Sequence, residues 1–155
     1  MEIEDLLSGP AQVIPRLKVS SKKQAIQELA HRAGELTGIH ERNIFDVLLE
    51  RERLGTTGVG NGIAIPHGKL ADAKAMFGLF ARLEHPVDFE SIDEQPVDLV
   101  FLLLAPEGAG ADHLKALARV SRLLRDRSIC EKLRGADQAE ALYALLTDHA
   151  HSHAA

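Results

Sequence analysis

Tryptophan is absent, tyrosine occurs once, and aromatic residues make up only 4% of this 155-residue chain. Single-stranded nucleic acid is gripped by successive aromatic faces, which this chain cannot supply, and its core must be built from Leu, Ile, Val and Ala. Cysteine is nearly missing too. Cys130 stands alone, which excludes an internal disulfide and thiolate zinc clusters; no neighbouring motif supports redox chemistry, so it reads as a small buried hydrophobe. No apolar run approaches the roughly 18 residues of a membrane span. Basic charge is short as well: 18 Lys and Arg against 23 Asp and Glu leave a net charge of -5. No Lys/Arg block outweighs it locally, so nucleic acid is not an expected partner. Met1 to Pro15 carries acids where a secretory signal would carry basic residues. A cytoplasmic location without direct membrane insertion is therefore expected.

What the chain does have is an ordinary globular balance, 45% hydrophobic and 26% charged, at a length that suggests one domain. A short strand is expected within Ala11–Leu17. A helix should run from a cap at Ser20 or Ser21 to about Leu36, with Ala25, Ile26, Leu29, Ala30, Ala33 and Leu36 on one stripe and Gly38 as its stop. A second helix, about Glu41 to Leu54, ends with Arg51 and Arg53 in a last turn where basic residues suit the dipole. Residues 75–83 and 97–104 are near-continuous apolar strands of the kind buried on both faces, and should form the sheet centre. Pro86 and Pro96 bracket a connection with a short edge segment around Val87–Phe89. Residues 113–126 read as a helix with Asp112 as N-cap, followed by a helical piece near Cys130 and a helix over Ala139–Leu146. The final seven residues, 149–155, form a His-rich tail expected to fray. Strands in the middle and helices at both ends make an α/β fold.

Between the second helix and the first long strand lies GTTGVGNGIAIPHG, residues 55–68, with five glycines in fourteen residues. Ile63–Ile65 alternates as a short strand inside it. The run is not a P-loop: five residues separate Gly62 from Gly68, and Leu70 stands where a Mg²⁺-binding hydroxyl is required. Gly58, Gly60 and Gly62 miss the dinucleotide fingerprint, because Ile63 occupies the third glycine position. His40-Glu41 begins a zinc-protease motif that lacks its second His at Ile44. No G-x-S-x-G elbow exists.

What survives is His67, set between Pro66, which restricts the backbone before it, and Gly68, which leaves its far side open to an incoming molecule. That suits an exposed nucleophile; a surface His in a turn is the alternative. Arg51 follows Ile44 and Leu48 at i+7 on an inward stripe, where it either binds an anion or pairs with a carboxylate. His113 heads the stripe Leu117, Val120, Leu124 in the first turn of its helix. The dipole disfavours its cationic form there but favours a phosphate, with a satisfied core or capping His as the alternative. Together the three suit phosphoryl transfer, which needs mainly positioning and anion stabilisation, with no cofactor and no metal implied.

The run from Arg51 to Leu70, RERLGTTGVGNGIAIPHGKL, resembles the active-site signature of the nitrogen-type enzyme IIA proteins of the bacterial phosphoenolpyruvate-dependent phosphotransferase system. Gln95–Leu99 and His113–Leu117 are similar to the same family. The resemblance implies a mixed β-sheet flanked by helices, the phosphotransferase/anion-transporter-like sandwich, as one IIA type-2 domain over 1–148. It implies that His67 accepts a phosphoryl group from an HPr-like phosphohistidine carrier, with Arg51 and His113 steadying the phosphate, as a phosphoryl carrier rather than a turnover enzyme. It further implies regulatory targets such as a potassium transporter or a sensor kinase. A fructose/mannitol-type IIA component that passes phosphate to a IIB domain is the second reading, and a binding module with a dead site the third. Val59, Ile63 and Leu70 are expected to provide apolar contact area around His67 where some of them are exposed, and Lys69 to favour an acidic rim on a partner.

Overall fold

The computed structural model describes the backbone of residues 1–154 and the side chains of residues 1–148. The expected fraying of 149–155 therefore falls outside the fully described residues. The chain forms β1 (Val13–Leu17), α1 (Lys22–Thr37), α2 (Glu41–Arg53), β2 (Gly58–Gly60), β3 (Ile63–Ala64), β4 (His67–Leu70), β5 (Phe77–Val87), β6 (Val97–Pro106), α3 (Ala111–Leu124), α4 (Arg127–Arg134) and α5 (Ala139–Ala154). Short 3-10 turns at Ile3–Asp5 and Pro10–Gln12 precede β1. Among the described residues no helix is long and apolar enough to cross a membrane.

The strands make one mixed sheet in the order β1-β5-β6-β3-β2, with β4 also paired to β6. β6 is antiparallel to β5 along one edge and parallel to β3 and then β4 along the other. Its side chains alternate between two apolar layers. Val100, Leu102 and Leu104 join the layer under α1 and α2, containing Ile26, Leu29, Ile44 and Leu48. Leu99, Phe101 and Leu103 join the layer under α3, α4 and α5, with Val120, Ile129 and Leu142. A strand with both faces covered has no polar positions to spare, which is why VDLVFLLL reads as continuous. The expected α/β fold of a mixed sheet flanked by helices is the fold observed.

Local signals explain the helix ends. The Ser21 side chain accepts from Gln24 N, and Gly38, at φ 80°, closes α1 in the left-handed region. Asp126 accepts from the backbone of Ser128 and Ile129 to start α4. Cys130 is buried as expected, its thiol donating to the Leu124 carbonyl at 3.2 Å.

Four expectations need correction. Asp112 does not cap α3: Gly110, at φ 56°, precedes the helix, and Asp112 falls inside its first turn without a side-chain cap bond. Leu36 is 39% exposed, because the packed stripe of α1 ends one turn earlier at Ala33. No separate edge segment spans Val87–Phe89. Val87 ends β5, paired with Val97 after a register shift that accommodates Pro86, and Phe89 is wholly buried in the core. The glycine-rich run holds three short strands rather than one, and His67 begins the third.

At Gly68 α2 lies close on the sheet. A Cβ there would run into the Val47 side chain of α2, whose branched Cβ leaves it little rotamer freedom to retreat. We expect Gly68→Ala to force α2 and β4 apart and to cost about 1–3 kcal/mol, as overpacked cores do. Urea unfolding should show a lower midpoint with an unchanged slope; an unchanged midpoint would mean that the contact is slack.

Candidate active site

Three elements meet at one end of the sheet. β4 starts immediately after Pro66, which has no N–H to give the ladder; its carbonyl accepts from Leu103 N at 2.9 Å, and His67 is paired with Leu103. That register points the His67 imidazole toward the α3 layer, where its ring centroid lies 5.5 Å from that of His113. From the other layer, α2 comes close over Gly68 and delivers Arg51. The Arg51 Nε–H donates to His67 Nε2 at 3.2 Å, and its Nη1 donates to the Gly55 carbonyl at 2.9 Å. The three residues singled out from the sequence are thus brought together.

The imidazole is held at both nitrogens. His67 Nδ1 lies 2.8 Å from the Ile65 carbonyl, which can only accept, so Nδ1 carries the proton. Nε2 therefore presents the lone pair, on the side of Arg51 and of an open depression of about 380 Å³. Leu54 and His113 line this depression with Arg51, His67 and Lys69. Burial pushes the His67 imidazole below its usual value near 6.5, and the Arg51 guanidinium adds to this, while the Ile65 bond and the Glu52 carboxylate act the other way. His113 is buried, and its pKa is lowered by desolvation, then by His67 and Lys69. Its Nδ1 is buried without a hydrogen-bond partner among the described residues. Both rings are consequently neutral near pH 7, leaving Arg51, Lys69 and the N-terminus of α3 as the positive features of the depression. A neutral ring whose Nε2 lone pair accepts from a guanidinium N–H can attack an electrophile that arrives with negative charge once that N–H turns to the incoming charge.

One residue behind this arrangement escapes a motif-based reading. Glu52, buried on α2, accepts from Thr57 N at 3.1 Å, from the Thr57 hydroxyl, and from Lys22 Nζ at 2.9 Å. The available signal is its position: Ile44, Leu48 and Glu52 fall at i, i+4 and i+8, so an acid ends the apolar stripe and must find buried partners. The structure also decides the exposure of the residues expected around His67. Ile63 and Leu70 are buried, and only Val59 is exposed of the three expected contact residues. Among the exposed apolar side chains, Leu54 lines the depression and Leu114 follows His113 in α3, at 83% and 68%.

Comparison with known proteins places this geometry in context. Residues 9–149 match the family described as phosphoenolpyruvate-dependent sugar phosphotransferase system, EIIA 2. A nitrogen regulatory protein of Bradyrhizobium diazoefficiens is 66% identical over 146 residues, covering 94% of this chain and 95% of that one. The crystal structure of nitrogen regulatory protein IIA-Ntr from Neisseria meningitidis superimposes with a TM-score of 0.86 at 36% identity, over 93% of this chain and 97% of that one. The enzyme IIAMTL of Escherichia coli, solved in complex with phosphorylated enzyme IIBMTL, shares the fold with a TM-score of 0.76 at 22% identity, over 90% and 96% of the two chains.

The lowered pKa values have a sign that titration can check. Because the unfolded chain binds these protons more readily, stability is fully present above the usual imidazole value near 6.5 and is lost as pH falls through the depressed values. NMR titration should place the midpoints of His67 and His113 below that value and that of His31, which sits beside Glu41 and Glu35, above it. A His67 midpoint at or above the usual value would contradict the buried, Arg-flanked geometry.

Proposed function

Because this chain belongs to the phosphoenolpyruvate-dependent sugar phosphotransferase system EIIA 2 family, on the side of its nitrogen regulatory members, we propose that it carries a phosphoryl group on His67 and controls partner proteins according to that state. One observation carries this reading: His67 Nδ1–H is committed to the Ile65 carbonyl, while Nε2 faces Arg51 and the open depression. The donor is an HPr-like phosphohistidine carrier acting in the cytoplasm. The His67 Nε2 lone pair forms the new N–P bond as the N–P bond to the donor imidazole breaks, and the electron pair of the broken bond returns to the donor ring. The positive charge that this leaves on the His67 ring is shared with Nδ1–H and stabilised by the Ile65 carbonyl.

Arg51 has a different partner in each state. In the free protein its Nε–H covers Nε2; when the phosphoryl group arrives, the guanidinium moves to the phosphoryl oxygens, which carry about two negative charges. His113, with Nδ1 unpaired and its ring beside His67, steadies the same oxygens as a neutral donor. The added charge arrives in the depression that Leu54 lines, an apolar side chain that offers a partner contact area, and desolvating it there weakens docking of one class of partner while favouring another. Regulatory targets such as a potassium transporter or a sensor kinase are the expected class. A sugar-type carrier would instead pass the group to a IIB domain.

The test is transfer from a phosphorylated HPr-like carrier to the purified protein. Wild type should gain one acid-labile phosphoryl group on His67, and His67→Ala none. Arg51→Ala should fold but accept phosphate about a hundred-fold more slowly, the scale of losing one charge-stabilising donor. Labelling of His67→Ala, or wild-type rates in Arg51→Ala, would overturn the assignment. Rapid onward transfer to purified IIB domains would favour the sugar-type reading.

A further inference from the structure

We propose that Glu52 is a positioning residue that holds His67 in its Nδ1–H tautomer, acting through Thr57 and the Ile65 carbonyl rather than on the imidazole itself. The link is continuous. The Glu52 carboxylate takes both the backbone N–H and the hydroxyl of Thr57, the Thr57 carbonyl accepts from Ile65 N at 3.0 Å, and the Ile65 carbonyl accepts from His67 Nδ1 at 2.8 Å.

Ile65 lies just past the end of β3, where its N–H bond to the Thr57 carbonyl closes the β2–β3 ladder at the Gly58–Ala64 pair. The β3 pairing with β6 runs through Ala64, and pairing resumes at His67 through β4. The two polar groups of Ile65 belong to adjacent peptides that meet at its Cα: the N–H goes to Thr57, and the carbonyl, followed by Pro66, goes to the histidine ring. Fixing Thr57 therefore anchors the N-terminal side of Ile65, and the proline that follows restricts how far the tautomer-selecting carbonyl can turn from the ring.

Glu52 can hold Thr57 because it is itself held from two sides. Lys22, in the first turn of α1, reaches it at 2.9 Å and also lies 5.1 Å over the Phe89 ring. A buried carboxylate with a cation on one side and two hydrogen bonds on the other has no freedom to release Thr57, since an unpaired buried acceptor is costly. A second bond steadies the neighbouring residue: the Thr56 hydroxyl donates to the Phe89 carbonyl at 2.6 Å. The carboxylate also favours the protonated imidazole through space, opposing Arg51. An acid at this place thus biases both where the proton sits and how tightly it is held, without contacting the reacting nitrogen.

The consequence for rate rests on the reading of His67 as phosphoryl acceptor; the tautomer does not. Ring-nitrogen chemical shifts of ¹⁵N-histidine-labelled protein, measured above the imidazole titration, report the tautomer directly. Wild type should show His67 protonated at Nδ1. In Glu52→Gln and in Thr57→Val, which removes only the hydroxyl, we expect a mixture with Nε2–H and phosphoryl uptake about ten-fold slower per folded molecule. Thr57→Ser, which keeps the hydroxyl, should restore both. Should Glu52→Gln not fold, Thr57→Val decides alone. Wild-type ring spectra in the folded variants would overturn the inference, showing these contacts to be structural only. A tautomer change in a protein whose wild type accepts no phosphoryl group would support the positioning role while removing the proposed function.

Discussion

A backbone carbonyl can only accept a hydrogen bond, so the contact between Ile65 and His67 decides which ring nitrogen holds the proton and which offers its electrons. The surrounding architecture can be understood as the means of keeping that carbonyl aimed. Pro66 interrupts the ladder along β6, the glycine-rich segment folds back as β2 against β3, and α2 ends where its last turns can brace both. The segment is rich in glycine for a reason that differs from a phosphate-binding loop. At Gly68 the absence of a side chain lets a helix lie close on the strand, and the Arg51 contact with His67 depends on that closeness.

Electrostatics completes the site. Two neighbouring imidazoles, both kept neutral by burial, would be a poor anion site by themselves. A guanidinium already bonded to Nε2, the positive end of an uncapped helix and Lys69 at the rim provide the attraction, while the charge of Glu52 is neutralised behind them by Lys22. Incoming negative charge meets donors already beside Nε2, with the Arg51 guanidinium exchanging its partner as the charge arrives. The apolar layers on either side of the sheet, with Leu102 in one and Leu103 in the other, make a rigid support for this arrangement.

How much could be read from residue order alone varied with the range of the interaction. The burial of 97–104 on both faces, the capping of α1 by Ser21 and its stop at Gly38 are local or periodic signals, and they held. Asp112 failed as a cap because Gly110 turns the chain one residue earlier, a backbone choice that side-chain preference does not report. The edge segment near Val87 failed because the pairing of β5 with β6 absorbs a proline at an irregular register, which depends on the partner strand. Which of Val59, Ile63 and Leu70 are exposed for partner contact was decided only when the strands assembled: Val59 is, while Ile63 and Leu70 face the core.

The sequence by itself determined the fold class, the family signature around I-P-H-G and the candidacy of His67, Arg51 and His113, because periodicity and a contiguous motif survive without coordinates. It could say that Arg51 and His113 lie on inward faces, but each admitted a structural alternative. Only the tertiary structure decided that β4, α2 and α3 converge from opposite layers so that the three side chains meet, and that Nε2 is the nitrogen facing Arg51 and the depression. It also revealed the buried path from Lys22 through Glu52 and Thr57 to Ile65. The physical reason is separation along the chain: hydrogen bonds linking residues 22, 52, 57 and 65 leave no periodic trace, and they exist only once the sheet has fixed where each segment lies.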